Sequence, residues 1–410
     1  SSDLTEQLCH SLWNLVVKTL AAACVQDGDL LIFNSLATPT QRVVITTLYS
    51  RADNIALTHQ GQPIPFDVLE RDILPGGTAI SLTAEGECET PLLPYYRWHV
   101  AVKTPVLPPI GYLTVNVEED PAPFLASEKI KGSEIENAHY RLSLDAGTLT
   151  LHDKRSGRRI PSFFTFEDCV DAGDSYDFSP LAGDAPTRCS HFTLVDGVKT
   201  PLVEKLTVEA TMRLPQDLAS RQDTARTPLS IRLVCELRHD DPNLYVEASL
   251  ENSHCDHRLR LLIGSDVHTR HAIASQPFAI IQRETGYDGE HWQERYREKP
   301  VDIETSEGII AVTEPGKALV VTSRGMKEFQ IIGSEPAAIA LTMFKSTGVL
   351  GRSDLEWRPG RASGINNTVI ETPDAQLLKP LRFSFTVALA DNADHLTLRQ
   401  LENQAAGQPF

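Results

Sequence analysis

The first apolar pattern along the chain is helical. Leucine and valine recur at steps of three and four residues near the N-terminus, at Leu4, Leu8, Leu12, Leu15, Val16 and Leu20. That spacing places the apolar side chains on one face of an α-helix, with Ser2 or Asp3 as an N-cap and Gly28 as a stop. The pattern predicts one amphipathic helix within residues 1–28. A single helix of this length must bury its apolar face on another element.

After Asp29 the periodicity changes from helical to extended. Short apolar runs with period-two alternation follow at 30–33, 42–46, 98–102 and 112–117. Such alternation is typical of half-buried β-strands, so residues 29–122 are predicted to form a small β-sandwich. The stretch 118–123 is charged and then rich in proline, which makes it the best candidate for a linker.

A longer β-region follows this linker. A dozen further strands are predicted, at 140–144, 149–152, 190–195, 206–212, 230–237, 244–250, 258–263, 308–313, 318–322, 329–332, 339–344 and 381–389. Because no helix is predicted between them, the pattern indicates stacked antiparallel sheets. We divide the region into residues 123–300, the first part of a large sandwich, and residues 301–410. The latter are either its second part or a small terminal β-domain.

The charge balance and the length of the apolar stretches exclude two classes of partner. The 410 residues carry 38 Lys and Arg against 55 Asp and Glu, a formal net charge of −17. Nucleic-acid binding needs clustered cations, so no such partner is expected. The longest apolar stretches fall short of a bilayer span, so no membrane partner is expected either. The length indicates two or three domains and leaves the oligomeric state open.

The cysteine usage favours a reducing compartment. The seven cysteines are odd in number and widely spaced, and the sequence contains no CxxC pair. In a secreted protein one thiol would be left over, so a cytoplasmic protein with reduced thiols is the better interpretation. The chain opens at Ser1 with neither a secretory signal pattern nor a Met, from which we expect a processed or truncated chain.

Four aspartates form the most regular polar pattern. Asp168, Asp171, Asp174 and Asp177 recur every three residues around Gly173. Paired carboxylates can act as acid and nucleophile in glycoside hydrolysis or bind calcium. The spacing does not match an EF-hand, and a solvated Asx-rich loop contains the same residue types. We therefore expect a loop that is structural or presents one residue to a ligand, rather than a self-contained catalytic pair.

The histidine cluster has metal-ligand chemistry without a metal-ligand spacing. His254, Cys255, Asp256 and His257 are consecutive, so in a strand they alternate between two faces and cannot all reach one ion. Surface histidines near the start of a strand are the better interpretation. The aromatic residues at 95–98 could stack on a sugar, but core packing is favoured there. The sequence contains no GxSxG, HExxH, P-loop or GxGxxG motif.

Several strings, taken in order, point to one family. They are EIENAHYRLSLD (134–145), GTLTLHDKRSG (147–157), DAGDSYDFSP (171–180), EN (251–252) with DHRLR (256–260), SRGMKEF (323–329), LTMFKSTGVL (341–350) and TPDAQ (372–376). Together they resemble the C-terminal β-region of family 38 of the glycoside hydrolases, the α-mannosidases. Upstream, LIFNSL (31–36) resembles the strand that opens the family's first β-domain, just after a helical bundle. The similarity is greatest to the bacterial cytoplasmic branch.

The resemblance implies both a fold and a function. The fold is mainly β: a small sandwich, then a large galactose-mutarotase-like supersandwich, with one N-terminal helix that ends a helical bundle. The family cleaves α-mannosides with retention, using zinc and an aspartate nucleophile held in an N-terminal α/β catalytic domain. Nothing in this sequence resembles that domain. The chain is therefore expected to be the C-terminal part of a longer enzyme, with no metal and no catalytic residue of its own.

Two residues match family positions close to the sugar. Tyr176 lies where the family places a tyrosine that hydrogen-bonds the bound sugar, a role suited to a phenol with a donor and an apolar face. Arg283 lies in a string, FAIIQRE (278–284), similar to one whose arginine approaches the substrate pocket. The resemblance thus implies that both bind substrate. The structural alternatives are a tyrosine packed on the sheet and an arginine paired with Glu284.

Two hypotheses of different classes stay open. In the first, the chain is the accessory β-region of a retaining α-mannosidase, scaffolding the catalytic domain and forming one wall of the active site. In the second, it is a free-standing carbohydrate-binding or structural β-protein. The first predicts that the helix within residues 1–28 has an exposed apolar face in the isolated chain.

Overall fold

A computed structural model gives the fold of the protein. It describes residues 2–24, 29–84, 86–119, 128–129, 132–286, 289, 291–323, 325–360 and 368–406. This part of the chain is dominated by antiparallel strands and contains two α-helices, α1 (Ser2–Cys24) and α2 (His395–Ala406). The mainly β, antiparallel fold predicted from the period-two patterns is confirmed.

The first β-domain is a small sandwich. Its strands are β1 (Leu30–Asn34), β2 (Val43–Ser50), β3 (Ile55–His59), β4 (Gln62–Pro63), β5 (Phe66–Leu74), β6 (Gly77–Thr83), β7 (Gly86–Leu92), β8 (Tyr95–Lys103) and β9 (Gly111–Glu119). One sheet has the order β1-β9-β3-β4, a second has the order β2-β8-β5, and β6 and β7 form a separate hairpin. Ile32 and Leu113 of the first sheet share a core with Trp98 and Val100 of the second.

The second β-region contains the remaining strands. They are β10 (Glu128–Lys129), β11 (Glu134–Glu136), β12 (Tyr140–Asp145), β13 (Thr148–Asp153), β14 (Arg159–Ile160), β15 (Phe164–Val170), β16 (Thr187–Cys189), β17 (Thr193–Lys199), β18 (Val203–Leu214), β19 (Thr227–Arg238), β20 (Leu244–Glu251), β21 (His257–Gly264), β22 (His271–Gln276), β23 (Ala279–Glu284), β24 (Ile303–Thr305), β25 (Ile309–Glu314), β26 (Lys317–Ser323), β27 (Glu328–Ile332), β28 (Ala338–Lys345), β29 (Val349–Leu350), β30 (Ile370–Glu371) and β31 (Pro380–Ala390).

Three sheets build the large sandwich. Ten strands form one sheet in the order β10-β17-β18-β19-β20-β31-β26-β25-β22-β23. Six form a second, β16-β15-β21-β28-β27-β24, and four form a third, β11-β12-β13-β14. Apolar side chains from all three sheets, including Leu233, Phe166 and Leu142, make one continuous core. The β28, β27 and β24 edge of the six-stranded sheet borders the cleft described below.

The ten-stranded sheet also buries its second face in part. Along β26, Leu319 faces the main core, whereas Val320 faces the opposite side and packs with Leu398 and Leu401 of α2. This alternation follows from the side-chain period of two in a strand. The N-terminal helix is present as predicted, whereas α2 was not predicted, because its sequence offers only a few apolar positions and no long helical pattern.

The two β-domains are joined by direct contacts. Val43 of β2 packs in one apolar cluster with Leu202 and Val203 of the large sandwich. The Asp67 carboxylate of β5 accepts a hydrogen bond of 2.6 Å from the backbone N–H of Leu202. These contacts fix the small sandwich against the large one.

Helix α1 carries unburied apolar side chains. Leu8, Leu12 and Leu15 are each more than half exposed, as the hypothesis of an enzyme fragment predicts. Of the helices in the described part of the chain, neither combines the length and apolar character needed to cross a membrane.

Candidate functional site

A cleft of about 380 Å³ opens at the edge of the six-stranded sheet. Its floor includes side chains of β24, β27 and β28, and its walls come from three separate stretches of chain. The residues that these stretches contribute are Tyr176, Asp177 and Phe178, then Glu298, Lys299 and Val301, and then Leu355, Trp357 and Arg358. Ligand sites of proteins are typically concave and mix aromatic with polar groups, as this cleft does.

The loop that carries Tyr176 is folded around its own aspartates. The Oδ1 of Asp171 accepts hydrogen bonds from the backbone N–H groups of Gly173 (2.9 Å) and Ser179 (3.2 Å). A side chain at Gly173 would be impossible without movement, because its Cβ would lie 2.0 Å from the carbonyl oxygen of Asp177. The loop therefore has a defined shape, which directs Tyr176 outward.

A second aspartate fixes the tip of the same loop. The Oδ1 of Asp174 accepts hydrogen bonds from the backbone N–H groups of Tyr176 (2.9 Å) and Asp177 (3.1 Å). Its Oδ2 pairs with the Arg358 guanidinium at 2.5 Å, and Arg358 also pairs with Asp177. Tyr176 itself is 51% exposed. A rigid support thus presents an accessible phenol to the cleft.

These contacts decide between the earlier interpretations of the four aspartates. The expectation of a structural loop is confirmed, since the carboxylates of Asp171 and Asp174 hold backbone N–H groups and cations. The loop is solvated only at its tip, since Asp171 and Asp174 are buried whereas Asp177 is exposed. Asp168 does not belong to the loop at all, since it lies within strand β15.

The prediction of surface histidines at 254–257 is also wrong. His254 and His257 are both buried, because β21, which begins at His257, lies between β15 and β28. The Nδ1 of His257 lies 2.5 Å from the Asp168 carboxylate, which also accepts a hydrogen bond of 3.1 Å from Arg221. Burial lowers the pKa of His254, and its neighbour His257 lowers it further.

Burial has the opposite effect on Asp171. Loss of solvent raises the pKa of its carboxyl group from 3.8 to about 6, although the Lys345 ammonium, 3.7 Å from Oδ2, acts to lower it. Desolvation disfavours the charged form of a carboxylic acid, and here it outweighs the nearby cation and two N–H donors. Asp171 supports the Tyr176 loop from within and is not among the residues that line the cleft.

An aromatic group builds one wall of the cleft. The ring of Trp357 meets that of Phe178 edge to face, with centroids 5.4 Å apart and planes at 76°. The guanidinium of buried Arg258 covers Phe178 at 3.8 Å, and the Lys299 ammonium lies 4.4 Å from the Trp357 ring centroid. Cations over aromatic faces are attracted by the ring quadrupole. These contacts hold the wall in one arrangement.

The two residues singled out in the sequence lie in different places. Tyr176 lines the cleft, whereas Arg283 is outside the lining and forms an ion pair with Glu304, which does line it. The structure therefore shows Glu304, and not the expected alternative Glu284, as the salt-bridge partner of Arg283. Arg283 belongs to β23 and Glu304 to β24, the last strands of the ten- and six-stranded sheets. The binding roles of both residues stay predictions.

Sequence reasoning missed Lys299, Trp357 and Arg358. They lie more than a hundred residues from Tyr176, and no local spacing joins them to it. The one available signal was the rarity of tryptophan, which occurs four times in the chain.

The described residues hold no group suited to the zinc ion that the resemblance implies. In the part of the chain that the structure covers, no three His, Cys, Asp or Glu side chains are arranged to bind a metal ion. The imidazoles of the 254–257 string are engaged in hydrogen bonds instead, His254 with Thr227 and His257 with Asp168 and Asn252. No step of a reaction is therefore assigned to a metal on these residues.

The described chain is therefore an antiparallel β-sandwich region with a cleft at the edge of one sheet. Residues 135–348, more than half of the chain, match the family model described as the glycosyl hydrolases family 38 C-terminal domain. The chain belongs to glycoside hydrolase family 38.

A curated relative and two solved structures agree with this assignment. Over 249 residues the chain is 22% identical to a Halalkalibacterium halodurans protein named "Putative mannosylglycerate hydrolase", covering 56% of this chain and 25% of that protein. An alpha-mannosidase from Enterococcus faecalis V583 superimposes with a TM-score of 0.72 at 17% identity, covering 93% of this chain and 45% of that one.

A second Enterococcus faecalis structure, described as a protein of glycosyl hydrolase family 38, gives a TM-score of 0.70 at 16% identity. It covers 93% of this chain and 46% of that chain. At these identities the structures show a shared fold. The chain spans less than half the length of both solved structures and a quarter of the curated relative.

Proposed function

We propose that this chain is the C-terminal, non-catalytic part of a retaining α-mannosidase. In this proposal it scaffolds the catalytic domain and forms one wall of the active site. The observation that supports it most is the exposed Tyr176 on a rigid loop beside the aromatic wall of a cleft, in a chain of family 38. The catalytic carboxylates and the zinc ion would belong to the N-terminal domain, and the enzyme would act in the cytoplasm.

The substrate we propose is an α-mannoside such as 2-O-mannosylglycerate. The name of the Halalkalibacterium relative supports this choice. The Tyr176 hydroxyl would exchange a hydrogen bond with a sugar hydroxyl, and its ring would cover an apolar face of the sugar. A substrate carboxylate that reached Arg283 would compete with Glu304 for its guanidinium.

The exposed face of α1 supports the scaffolding role. Leu8, Leu12 and Leu15 lie four and three residues apart and are each more than half exposed. We propose that they pack on other helices of a bundle next to the catalytic domain, because an unpartnered apolar stripe of this length commonly marks an interface.

The experiment compares Tyr176→Phe with wild type in the full-length enzyme, using hydrolysis of an aryl α-mannoside. Loss of one hydrogen bond to the sugar should lower kcat/KM roughly tenfold, with little change in stability because the hydroxyl is exposed. Tyr296→Phe is the matched control, since Tyr296 is similarly exposed and lies outside the cleft lining. An unchanged rate in Tyr176→Phe would assign Tyr176 to packing.

A second measurement tests where the catalytic residues are. The isolated 410-residue chain should neither hydrolyse the aryl α-mannoside nor bind zinc stoichiometrically, whereas the longer enzyme should do both. Turnover by the isolated chain would show that it holds catalytic residues of its own.

A further inference from the structure

The charged side chains of the cleft are mostly neutralised by partners. Among its carboxylates, Asp177 pairs with Arg358, Glu304 with Arg283, and Glu328 with Arg258 at 3.3 Å. Such pairs leave little net charge for a ligand to contact.

Of the three cations that the described part of the chain contributes to the cleft lining, Arg358 and Lys345 have carboxylate partners, whereas Lys299 is the exception. Lys345 donates a hydrogen bond of 2.8 Å to the carbonyl oxygen of Asp174 and lies 3.7 Å from the Asp171 carboxylate. Lys299 also lines the cleft, but among the described residues no carboxylate lies within the 4.0 Å of an ion pair from its Nζ. Its neighbour Glu298 lines the same cleft and is exposed.

Lys299 is nevertheless held in position. Its backbone N–H donates a hydrogen bond of 2.8 Å to the carbonyl oxygen of Trp357, and its Nζ lies over the Trp357 ring. A Cβ at Gly289 would approach the Lys299 Cε to 3.0 Å, so glycine leaves room for the lysine stem. Lys299 is therefore a half-buried residue whose ammonium is oriented by an aromatic ring and is available to an anion.

We propose that Lys299 determines specificity by binding an anionic group, a carboxylate or a phosphate, of the α-mannoside substrate. This inference rests on the proposed function. Arg283 is the weaker choice for this role, since Glu304 already neutralises it. A charge-assisted hydrogen bond from an ammonium to an anion is roughly twice as strong as a neutral one, and partial burial beside Trp357 reduces its screening by water.

The test uses the full-length enzyme and two substrates that differ by one charge. They are α-mannosylglycerate and α-mannosylglycerol, which has a neutral hydroxymethyl group in place of the carboxylate. Lys299→Met should lower the ratio of kcat/KM for the anionic over the neutral substrate roughly tenfold, the effect of one charged hydrogen bond. Lys299→Arg should restore most of the ratio. Lys327→Met is the control, since Lys327 is paired with Glu307 and is not among the cleft residues.

The outcomes separate this inference from the proposed function. An unchanged ratio in Lys299→Met would overturn a carboxylate at Lys299 and, unless phosphate inhibition weakens in the same variant, the role of Lys299 as a whole. A ratio that falls equally in Lys327→Met would overturn that role too, and either result would leave the proposed function intact. Turnover of neither substrate by the wild-type enzyme would overturn both. A lower ratio that Lys299→Arg restores supports the inference.

Inhibition distinguishes the two sources of the anion. Hydrolysis of the neutral substrate is measured with added glycerate and, separately, with inorganic phosphate. Stronger inhibition by glycerate that weakens in Lys299→Met supports a carboxylate, and the same pattern with phosphate supports a phosphorylated substrate. Inhibition by neither, or inhibition that Lys299→Met leaves unchanged, would count against an anion site at Lys299.

Discussion

Replacement of Asp171 by asparagine should change how the stability of the protein depends on pH. The carboxyl group is buried, and its Oδ1 holds two backbone N–H groups of the Tyr176 loop. Asparagine keeps one oxygen acceptor and has an uncharged NH2 group in place of the second carboxylate oxygen. The loop geometry should therefore survive while the titrating group is lost.

The sign follows from the pKa of Asp171, which burial raises from 3.8 to about 6. Between these values the folded protein binds more protons than the unfolded chain, so stability falls as pH rises. The stabilising contribution of the protonated form is complete below pH 3.8 and is lost as pH rises through about 6. A pKa difference of about 2 corresponds to roughly 3 kcal/mol.

The assay is urea denaturation of wild type and Asp171→Asn at several pH values from 4 to 8. The wild type should lose about 3 kcal/mol of unfolding free energy relative to the variant between the two ends of this range. Asp223→Asn, at an exposed carboxylate, serves as the control and should follow the wild type. Parallel curves for wild type and Asp171→Asn would refute the argument that burial controls this carboxyl group.

Two further substitutions test the support of the site and the role of α2. Arg358→Met leaves the buried Asp174 carboxylate without its cation and should cost roughly 3 kcal/mol in urea denaturation; a loss below about 1 kcal/mol would mean that the backbone N–H donors suffice. Leu398→Ala removes a fully buried side chain between α2 and β26 and should cost about 2–5 kcal/mol. The exposed Leu396→Ala should change stability little, and equal losses would contradict the packing of α2.

The strands of the core could be predicted because their periodicity is set by burial on one face. The predicted run at 230–237 lies within β19, and the run at 381–389 lies within β31. Strand β15 was missed because its polar residues Glu167 and Asp168 are buried by ion pairs rather than exposed. The sequence shows that a residue is polar but not whether it has a buried partner. For this reason His257, which pairs with buried Asp168, was wrongly predicted to lie on the surface.

The candidate site could be predicted only in part. The Tyr176 loop was found because its aspartates and Gly173 form a local pattern with local hydrogen bonds. Lys299 and Trp357 meet this loop through the tertiary fold, and no periodicity encodes a contact over that separation in sequence. The resemblance to a family identifies individual residues such as Tyr176. The charge balance of the cleft can be judged only when every residue that lines it is known.

The position of β31 has a consequence for how the protein is made. This strand lies between β20 and β26, and its residue Val387 pairs with Leu244 on one side and Val321 on the other. More than a hundred residues separate the end of β20 from the start of β31. Strand β20 therefore has an unpaired edge during the synthesis of all these residues, until β31 has left the ribosome. Exposed edges of this kind pair with other chains, and such distant pairing forms slowly. The growing chain should therefore depend on chaperones, with a protected sheet forming only after residue 390 emerges.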